Sequence, residues 1–238
     1  MNDKFLEMID GIIFDLDGTL LNTLPDIASS MNHVLKAEGL ALHSEEEYRQ
    51  MLGSGIAKLV EAALPLDLRI PERITPLINR LNQVYKANLI NKTAFYPGIP
   101  EVLSLSRKKG LKLGLFSNKP HPLCLILADK LLSKWNFDII LGADNGFPKK
   151  PEPYGIYHIS DSLNIKVHHL LMIGDSQADI LCARHSGTKS LAVSWGYRKH
   201  EVLIAENPDF IVTNPTDLYE FIDNLPASSN SPFYTQKP

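Results

Sequence analysis

Two acidic residues separated by a single residue stand at the end of an apolar run near the start of the sequence. The run is Ile12-Ile13-Phe14, and the acids are Asp15 and Asp17. If the chain stays extended, both carboxylates point to the same side of the strand, where their like charges repel. A divalent cation, a proton or hydrogen bonds from a neighbour would relieve that repulsion. The pair is therefore a candidate catalytic or metal-binding site, and an Asp-rich turn that closes a core strand is the alternative.

Three further polar clusters each come after an apolar stretch that predicts a strand. Each cluster alone has an ordinary structural explanation, because Ser-Asn often starts a helix, Lys-Pro occurs in surface loops and Gly-Asp-Ser caps helices. In a parallel sheet, however, the carboxyl ends of the strands lie on one edge, and ligands bind there. The clusters are Ser117-Asn118, Lys149-Lys150-Pro151-Glu152-Pro153 and Gly174-Asp175-Ser176-Gln177-Ala178-Asp179.

The elements that would bring these clusters together follow from the hydrophobic pattern. From Tyr96 onward, short apolar stretches alternate with amphipathic helical stretches, a rhythm typical of a parallel sheet. Together with the first strand, this pattern predicts an α/β fold. The predicted strands are 111–116, 137–141, 170–173, 191–193 and 210–212, and the predicted helices are 99–109, 123–132, 154–163 and 177–185.

The stretch between the first strand and Tyr96 has a different pattern. Apolar residues recur there with the helical period over about seventy residues, and no convincing strand interrupts them. We therefore expect an all-helical insert, residues 22–92, within a core formed by residues 1–21 and 93–226. Two short hinges, near 21–23 and 93–97, would join them. Residues 227–238 are polar and rich in serine and proline, so we expect a flexible tail.

The amino-acid composition indicates which kinds of molecule the protein binds and where it is located. The 238 residues include 24 Lys and Arg against 27 Asp and Glu, so no basic field favours nucleic acid. The two cysteines, Cys124 and Cys182, lie far apart in sequence, which fits a reducing compartment better than a disulfide framework or a zinc site. No leader is evident, and no apolar run approaches the roughly 20 residues of a membrane span. We expect a soluble, cytoplasmic monomer or homodimer with a small-molecule substrate.

The four clusters together resemble the motifs of the haloacid dehalogenase superfamily of aspartate-dependent phosphohydrolases. The resemblance implies a Rossmann-like core, and the helical insert directly after the first motif looks like that family's cap of the first type. The matching stretches are Asp15-Leu16-Asp17-Gly18-Thr19, Ser117-Asn118, Lys150-Pro151-Glu152-Pro153 and Gly174-Asp175-Ser176-Gln177-Ala178-Asp179.

Other stretches are similar to the phosphoglycolate phosphatase branch of that superfamily. One departure is Asn22-Thr23, where the branch usually has Asp-Ser, and we expect it to leave the chemistry untouched. This closer similarity implies hydrolysis of 2-phosphoglycolate to glycolate and phosphate. The stretches that carry it are 24–27, 52–55, 85–89, 96–98 and 117–120.

The chemistry of phosphate monoesters suits these residue types, because a dianion that hydrolyses very slowly in water needs charge neutralisation and positioning. Asp15 is the candidate nucleophile and would form an aspartyl phosphate, which divides one hard displacement into two. Asp17 would protonate the departing alkoxide and later take a proton from the attacking water.

The resemblance also implies the residues that hold the metal and the phosphate. Mg²⁺ would be bound by Asp15, the backbone carbonyl of Asp17 and Asp175, with Asp179 acting through a water. Ser117 and the backbone of Asn118 would donate to phosphoryl oxygens. Lys150 would hold the nucleophile and the phosphate together, and Lys149 is the competing lysine, disfavoured because the family lysine directly precedes the proline.

Residues Gly53, Ser54 and Gly55 lie between two helices of the insert. A plain turn and a loop that faces the substrate are both reasonable interpretations, since small residues allow close approach to a ligand. If the insert is a cap, this loop would select the substrate.

Alternative functions stay open on the same residues. A sugar phosphomutase or a pyrophosphatase could use the same scaffold, and a phosphonate hydrolase could use a Schiff-base lysine in the insert, Lys36, Lys58 or Lys86. A dehalogenase is disfavoured because its chemistry needs no second acid, yet Asp17 is present. A non-catalytic phospho-receiver module would also use an acidic cluster, Mg²⁺ and a lysine, but it has no need of a helical insert of this size.

Overall fold

A six-stranded parallel sheet forms the centre of the structure, a computed structural model that describes residues 9–52 and 55–226. The strand order is β5-β4-β1-β6-β7-β8, and two further short strands, β2 and β3, pair with each other. Gly53, Ser54 and the predicted tail 227–238 lie outside the described residues. The strands are β1 (Gly11–Phe14), β2 (Leu21–Asn22), β3 (Ala94–Phe95), β4 (Lys112–Pro120), β5 (Ile139–Ala143), β6 (Leu170–Gly174), β7 (Lys189–Val193) and β8 (Phe210–Val212).

Helices cover the sheet and fill the stretch between β2 and β3. Helices α5 and α10 contact each other, and so do α7 and α8. None of the helices within the described residues has the length and apolarity needed to cross a membrane. The helices are α1 (Leu24–Ala37), α2 (Glu45–Met51), α3 (Ile56–Ala63), α4 (Pro71–Ala87), α5 (Ile99–Lys108), α6 (His121–Leu127), α7 (Tyr154–Leu163), α8 (Gln177–Ser186), α9 (His200–Ala205) and α10 (Pro215–Asp223).

Both faces of the central sheet are buried, which explains the unbroken apolar run in β1. Ile12 and Phe14 belong to one apolar core, whereas Ile13 between them belongs to a second core on the opposite face. Successive side chains of a strand point to opposite faces, so a strand covered on both sides is apolar at every position. The predicted α/β fold with a parallel sheet is confirmed.

The position of β1 in the sheet decides where a ligand can bind. β1 pairs in parallel with β4 on one side and with β6 on the other. The chain therefore leaves β1 toward one side of the sheet and later returns to fill the other side. In open parallel sheets, the crevice at such a switch point, beyond the carboxyl ends of the strands, is the usual binding site.

Several elements differ from the sequence-based expectation. β4 continues to Pro120, so Ser117-Asn118 lies within the strand and not after it; β4 still pairs with β5 at Pro120, after an irregularity in register. The helix predicted for 123–132 begins at His121 and becomes a π-helical turn from Ala128 to Leu132. The short helix α2 was not predicted, because it buries only Tyr48 and so shows no apolar period.

The described residues between β2 and β3 contain helices α1 to α4 and no strand, and we call them the helical segment. Helices α1 and α4 pack against each other along this segment. β2 and β3 pair antiparallel, with Leu21 opposite Phe95 and Asn22 opposite Ala94. The chain thus enters and leaves the helical segment through one paired ribbon, at the two predicted hinges.

Asp26 in the first turn of α1 fastens the helical segment to this ribbon. Its buried carboxylate accepts hydrogen bonds from Lys92 N, Thr93 N and Thr93 Oγ1 at 2.8 to 3.0 Å. Asp26→Ala should lower the free energy of unfolding by about 1–3 kcal/mol, because buried N–H groups lose their acceptor. Urea denaturation measures the change. Asp129→Ala, at an exposed carboxylate, should change it by less than about 0.5 kcal/mol, and equal midpoints for the two variants would contradict the assignment.

Candidate active site

The two carboxylates that follow β1 are neutralised by two different lysines. Asp15 Oδ1 accepts a hydrogen bond from Lys150 Nζ at 2.8 Å. Asp17 accepts from Lys119 Nζ at 2.9 Å through Oδ1 and at 3.0 Å through Oδ2. The repulsion expected between the two acids is therefore relieved by cations from distant parts of the chain. Lys119 lies within the stretch 117–120 that carries the closer similarity, but of these two lysines only Lys150 was assigned a role from the sequence.

Lys150 joins the turn after β1, strand β4 and the first turn of helix α8. Its Nζ donates to Asp15 Oδ1, to Asp179 Oδ1 at 2.6 Å and to the backbone oxygen of Phe116 at 2.7 Å, and its side chain is 2% exposed. Lys149 instead is 42% exposed and lies 3.9 Å from Asp144. The preference for Lys150 over Lys149 thus agrees with the structure, in which only Lys150 contacts the predicted nucleophile.

The backbone of Lys150 is held by the predicted phosphate-binding residue Asn118. Lys150 N donates to Asn118 Oδ1 at 2.9 Å, and Asn118 Nδ2 donates to the backbone oxygen of Lys150 at 3.0 Å. The amide side chain is therefore occupied with the loop. Ser117 is buried beside it at the end of β4 and faces the same pocket as Asp15. Ser117 and Asn118 therefore line the same pocket as Asp15, and their role in phosphate binding stays a prediction.

The end of β6 supplies the other two acids. Asp179 completes a capping box at the start of α8, because its Oδ2 accepts from Ser176 N at 3.0 Å and Ser176 Oγ at 2.6 Å. Asp175 Oδ2 accepts from Tyr197 N at 2.6 Å. Gly18 has a φ of +88°, and a Cβ there would lie 2.2 Å from Asp175 Oδ2. Glycine is therefore required where the turn after β1 passes this carboxylate.

Asp15, Asp175 and Asp179 form a buried acidic cluster that fits a divalent cation. One carboxylate oxygen of each lies within 4.8 Å of the others. Burial raises the pKa of Asp15 to about 6, with Lys150 opposing and the Asp179 charge adding to the rise. Burial, followed by the charges of Asp15 and Asp179, raises the pKa of Asp175 well above its usual value. Hard carboxylate oxygens that repel one another in this way suit Mg²⁺ or a similar ion.

Lys119 and Thr23 belong to the site but escaped the sequence-based prediction. Lys119 Nζ also donates to Tyr85 OH at 2.7 Å, and Thr23 Oγ1 donates to Asp17 Oδ1 at 2.7 Å. Burial alone would lower the pKa of Lys119, but the charges and hydrogen bonds of Asp17 and Tyr85 together outweigh burial and raise it. The Asn22-Thr23 departure was expected to leave the chemistry untouched, yet Thr23 contacts Asp17 directly. A usable signal existed, since Lys119 follows Ser117 by two residues and so shares its face of the strand.

A pocket that is partly open to solvent lies between this site and the helical segment. Asp15, Asp17 and Lys150 line its floor. Gly55 lines it as well, and a Cβ on Gly55 would lie 3.6 Å from the Asn118 backbone oxygen. The interpretation of Gly53, Ser54 and Gly55 as a loop facing the substrate is therefore compatible with the structure at Gly55. The apolar wall comes from Ile27, Leu52, Ile56 and Leu59 of the helical segment.

Comparison with known proteins identifies the family. Residues 12–193 match the family model described as haloacid dehalogenase-like hydrolase. The chain belongs to this family. All four clusters of candidate site residues lie within the matched range, so the resemblance seen in the motifs is confirmed.

Similar proteins narrow the activity of this haloacid dehalogenase-like hydrolase. A phosphoglycolate phosphatase of Chromobacterium violaceum is 34% identical over 223 residues, which cover 92% of this chain and 99% of that protein. A phosphoglycolate phosphatase of Aquifex aeolicus is 33% identical over 213 residues, covering 90% and 96%. The crystal structure of a predicted phosphoglycolate phosphatase from Haemophilus somnus is 28% identical, covers 90% of this chain and 97% of that one, and superposes with a TM-score of 0.81. The chain is a phosphoric monoester hydrolase, as the motifs predicted.

The contrast between the two neighbouring lysines gives a direct test of this site. Lys150→Ala should lower phosphate release by about 10²-fold or more, because the ammonium group faces the nucleophile, whereas Lys149→Ala should change it less than about threefold. Initial rates of phosphate release, with circular dichroism to verify folding, measure both. Equal losses of activity in the two variants would mean that the catalytic role is assigned to the wrong position in the loop that contains Lys149 and Lys150.

Proposed function

We propose that the protein is a Mg²⁺-dependent phosphatase that hydrolyses 2-phosphoglycolate to glycolate and phosphate through an aspartyl phosphate on Asp15. The observation that carries the proposal is the Lys150 bridge, which holds Asp15 beside Asp179 and Asp175 at the switch point of the sheet. A buried nucleophile, a fixed cation and an acidic cluster are the parts that transfer of a phosphoryl group to a carboxylate requires.

The reaction then divides into two displacements. In the first, an Asp15 carboxylate oxygen forms a bond to phosphorus while the ester P–O bond breaks, and the Asp17 carboxyl group gives its proton to the departing oxygen. In the second, water attacks the aspartyl phosphate, Asp17 takes a proton from that water, and the bond between phosphorus and Asp15 breaks. Ser117 Oγ and the backbone N–H of Asn118 donate to the phosphoryl oxygens, and Lys150 balances their charge.

The charges in the site support a divalent cation. When all three are ionised, Asp15, Asp175 and Asp179 place an excess of negative charge around the single ammonium group of Lys150, before any substrate enters. Mg²⁺ would neutralise this charge and orient the phosphoryl group. The residues that would hold it are Asp15, the Asp17 backbone carbonyl and Asp175, with Asp179 acting through a water.

The pocket and the relatives support a small ester as the substrate. In the proposed reaction, the residues at the sheet edge contact only the phosphoryl group. The helical segment must therefore select the substrate by its leaving group. We propose that residues 22–92 form a cap over a core of residues 1–21 and 93–226. The cap wall approaches the core closely at Gly55 and leaves room for a small leaving group such as glycolate. Two relatives that are similar to this chain over most of its length are named phosphoglycolate phosphatase.

Removal of the nucleophile or of the metal tests the mechanism. Asp15→Asn and treatment with EDTA should each abolish phosphate release from 2-phosphoglycolate, because an amide is a poor nucleophile and the cation neutralises the phosphate. Added Mg²⁺ should restore the EDTA-treated enzyme but not the variant. Asp144→Asn, at an exposed carboxylate, is the matched control and should keep full activity. Steady turnover by the Asp15→Asn variant would remove the aspartyl phosphate from the mechanism.

Substitution of Gly55 tests the role of the cap loop. Gly55→Val should lower kcat/KM for 2-phosphoglycolate by about tenfold or more, because the backbone φ of +87° disfavours a branched residue and the side chain enters the pocket beside Asn118. Acetyl phosphate, an activated substrate that needs less from the cap, should lose less. Gly39→Val is the control, because Gly39 has a φ of +70° with open space around it.

A panel of phosphate esters tests the substrate. We expect the highest kcat/KM for 2-phosphoglycolate, with nucleotides and phosphoproteins poor. Faster hydrolysis of a nucleotide or of pyrophosphate would refute the substrate assignment. Transfer of the phosphoryl group to a second hydroxyl with little free phosphate would indicate a mutase.

A further inference from the structure

A buried lysine beside the proposed proton donor has no part in the two displacements. Lys119 lies at the end of β4 with its side chain 2% exposed, and its Nζ is within hydrogen-bond distance of both Asp17 oxygens and of Tyr85 OH. An ammonium group has three N–H donors, so these three acceptors use all of them. A buried lysine with a complete set of partners acts through those partners.

We propose that Lys119 is a positioning residue, which fixes the Asp17 carboxyl group for proton transfer to the leaving oxygen, and that Tyr85 makes this dependent on the helical segment. The inference rests on the proposed function only in taking Asp17 as the proton donor. It applies to any monoester whose leaving group needs a proton.

The contacts of Asp17 support the first half of the proposal. Lys119 bonds to both of its oxygens, and Thr23 Oγ1 bonds to Oδ1 at 2.7 Å. These three hydrogen bonds to one carboxylate restrict both of its side-chain torsions, which would otherwise be free to rotate in the pocket. A general acid must lie within hydrogen-bond reach of the atom that it protonates, so a small displacement of this carboxylate is costly.

The position of Tyr85 supports the second half. Tyr85 is fully buried on α4, and its ring centre lies 4.6 Å from Lys119 Nζ. Through its hydroxyl, Tyr85 connects helix α4 of the helical segment to the ion pair between Lys119 and Asp17. If the helical segment moved away, the Lys119 ammonium would lose one of three partners inside a buried site, where an unmade hydrogen bond is expensive. The placement of Asp17 is therefore coupled to the placement of α4.

The leaving group provides a readout that a purely structural role would not change. Ethyl phosphate and acetyl phosphate have similar size and both lack a carboxylate, but only the ethoxide needs a proton to depart. The ratio kcat/KM reports transfer of the phosphoryl group to Asp15 and not the later hydrolysis. A defect in proton donation should therefore appear with ethyl phosphate and be small with acetyl phosphate.

The experiment measures kcat/KM of Lys119→Met and Tyr85→Phe on these two esters and on 2-phosphoglycolate. We expect Lys119→Met to lose about tenfold to a hundredfold on ethyl phosphate and less than about threefold on acetyl phosphate. Tyr85→Phe, which removes one hydroxyl, should show a smaller loss with the same preference. Tyr48→Phe is the matched control, because Tyr48 is also fully buried in the helical segment but bonds to Asn32, away from the site. This variant should leave kcat/KM unchanged on both ethyl phosphate and acetyl phosphate.

Other outcomes would overturn the proposal. Equal losses on ethyl and acetyl phosphate would mean that Lys119 supports the fold or the phosphoryl site. A loss confined to 2-phosphoglycolate would assign Lys119 to the carboxylate of the substrate. If Lys119→Met does not fold, Tyr85→Phe decides alone, and equal behaviour of Tyr85→Phe and Tyr48→Phe contradicts the coupling. The leaving-group pattern without hydrolysis of 2-phosphoglycolate would keep this inference and reject the proposed substrate.

Discussion

The repulsion among four carboxylates at one edge of a buried sheet is the constraint that the site has to satisfy. Asp15, Asp175 and Asp179 lie close enough to share an ion, and Asp17 is two residues from Asp15. Burial of charges is unfavourable unless they are paired and hydrogen-bonded. Two buried lysines provide the pairing, Lys150 for Asp15 and Asp179 and Lys119 for Asp17. Burial and the charge of Asp179 still raise the pKa of Asp15 to about 6, although Lys150 opposes the rise.

The need for two cations explains why the site is assembled from distant stretches of the chain. Lys150 arrives on a loop that the Asn118 side chain holds by two hydrogen bonds, and Lys119 comes from β4 itself. Parallel pairing of β1 with β4 and β6 brings the residues that follow these strands to one edge of the sheet. Contacts among their side chains then complete the site. The fold therefore fixes the distances, while the charges decide which residue types are tolerated.

The sequence predicted the parts of the site that lie in local patterns and missed those that depend on contacts between distant residues. Apolar runs followed by polar residues located the strand ends, and the adjacent proline distinguished Lys150 from Lys149. Ser117-Asn118 was placed after its strand, because composition alone does not reveal that β4 keeps pairing with β5 beyond Phe116. Tyr85 lies within the helical pattern of the insert and within the stretch 85–89, yet no role in the site was predicted for it, although its hydroxyl bonds to Lys119. Periodicity identifies the buried face of a helix but cannot show what a polar atom on that face contacts.

The two lysines also divide the site into two sides with different partners. In the proposed reaction, Lys150 and the acidic cluster would face the phosphoryl group, and Lys119 and Asp17 would face the leaving group. Tyr85 joins Lys119 to the helical segment, whose apolar residues also line the pocket. In the proposed reaction, changes at the strand ends would slow the transfer of every phosphoryl group alike. Changes in the helical segment would act through the leaving group, both by its fit in the pocket and by the position of the acid that protonates it.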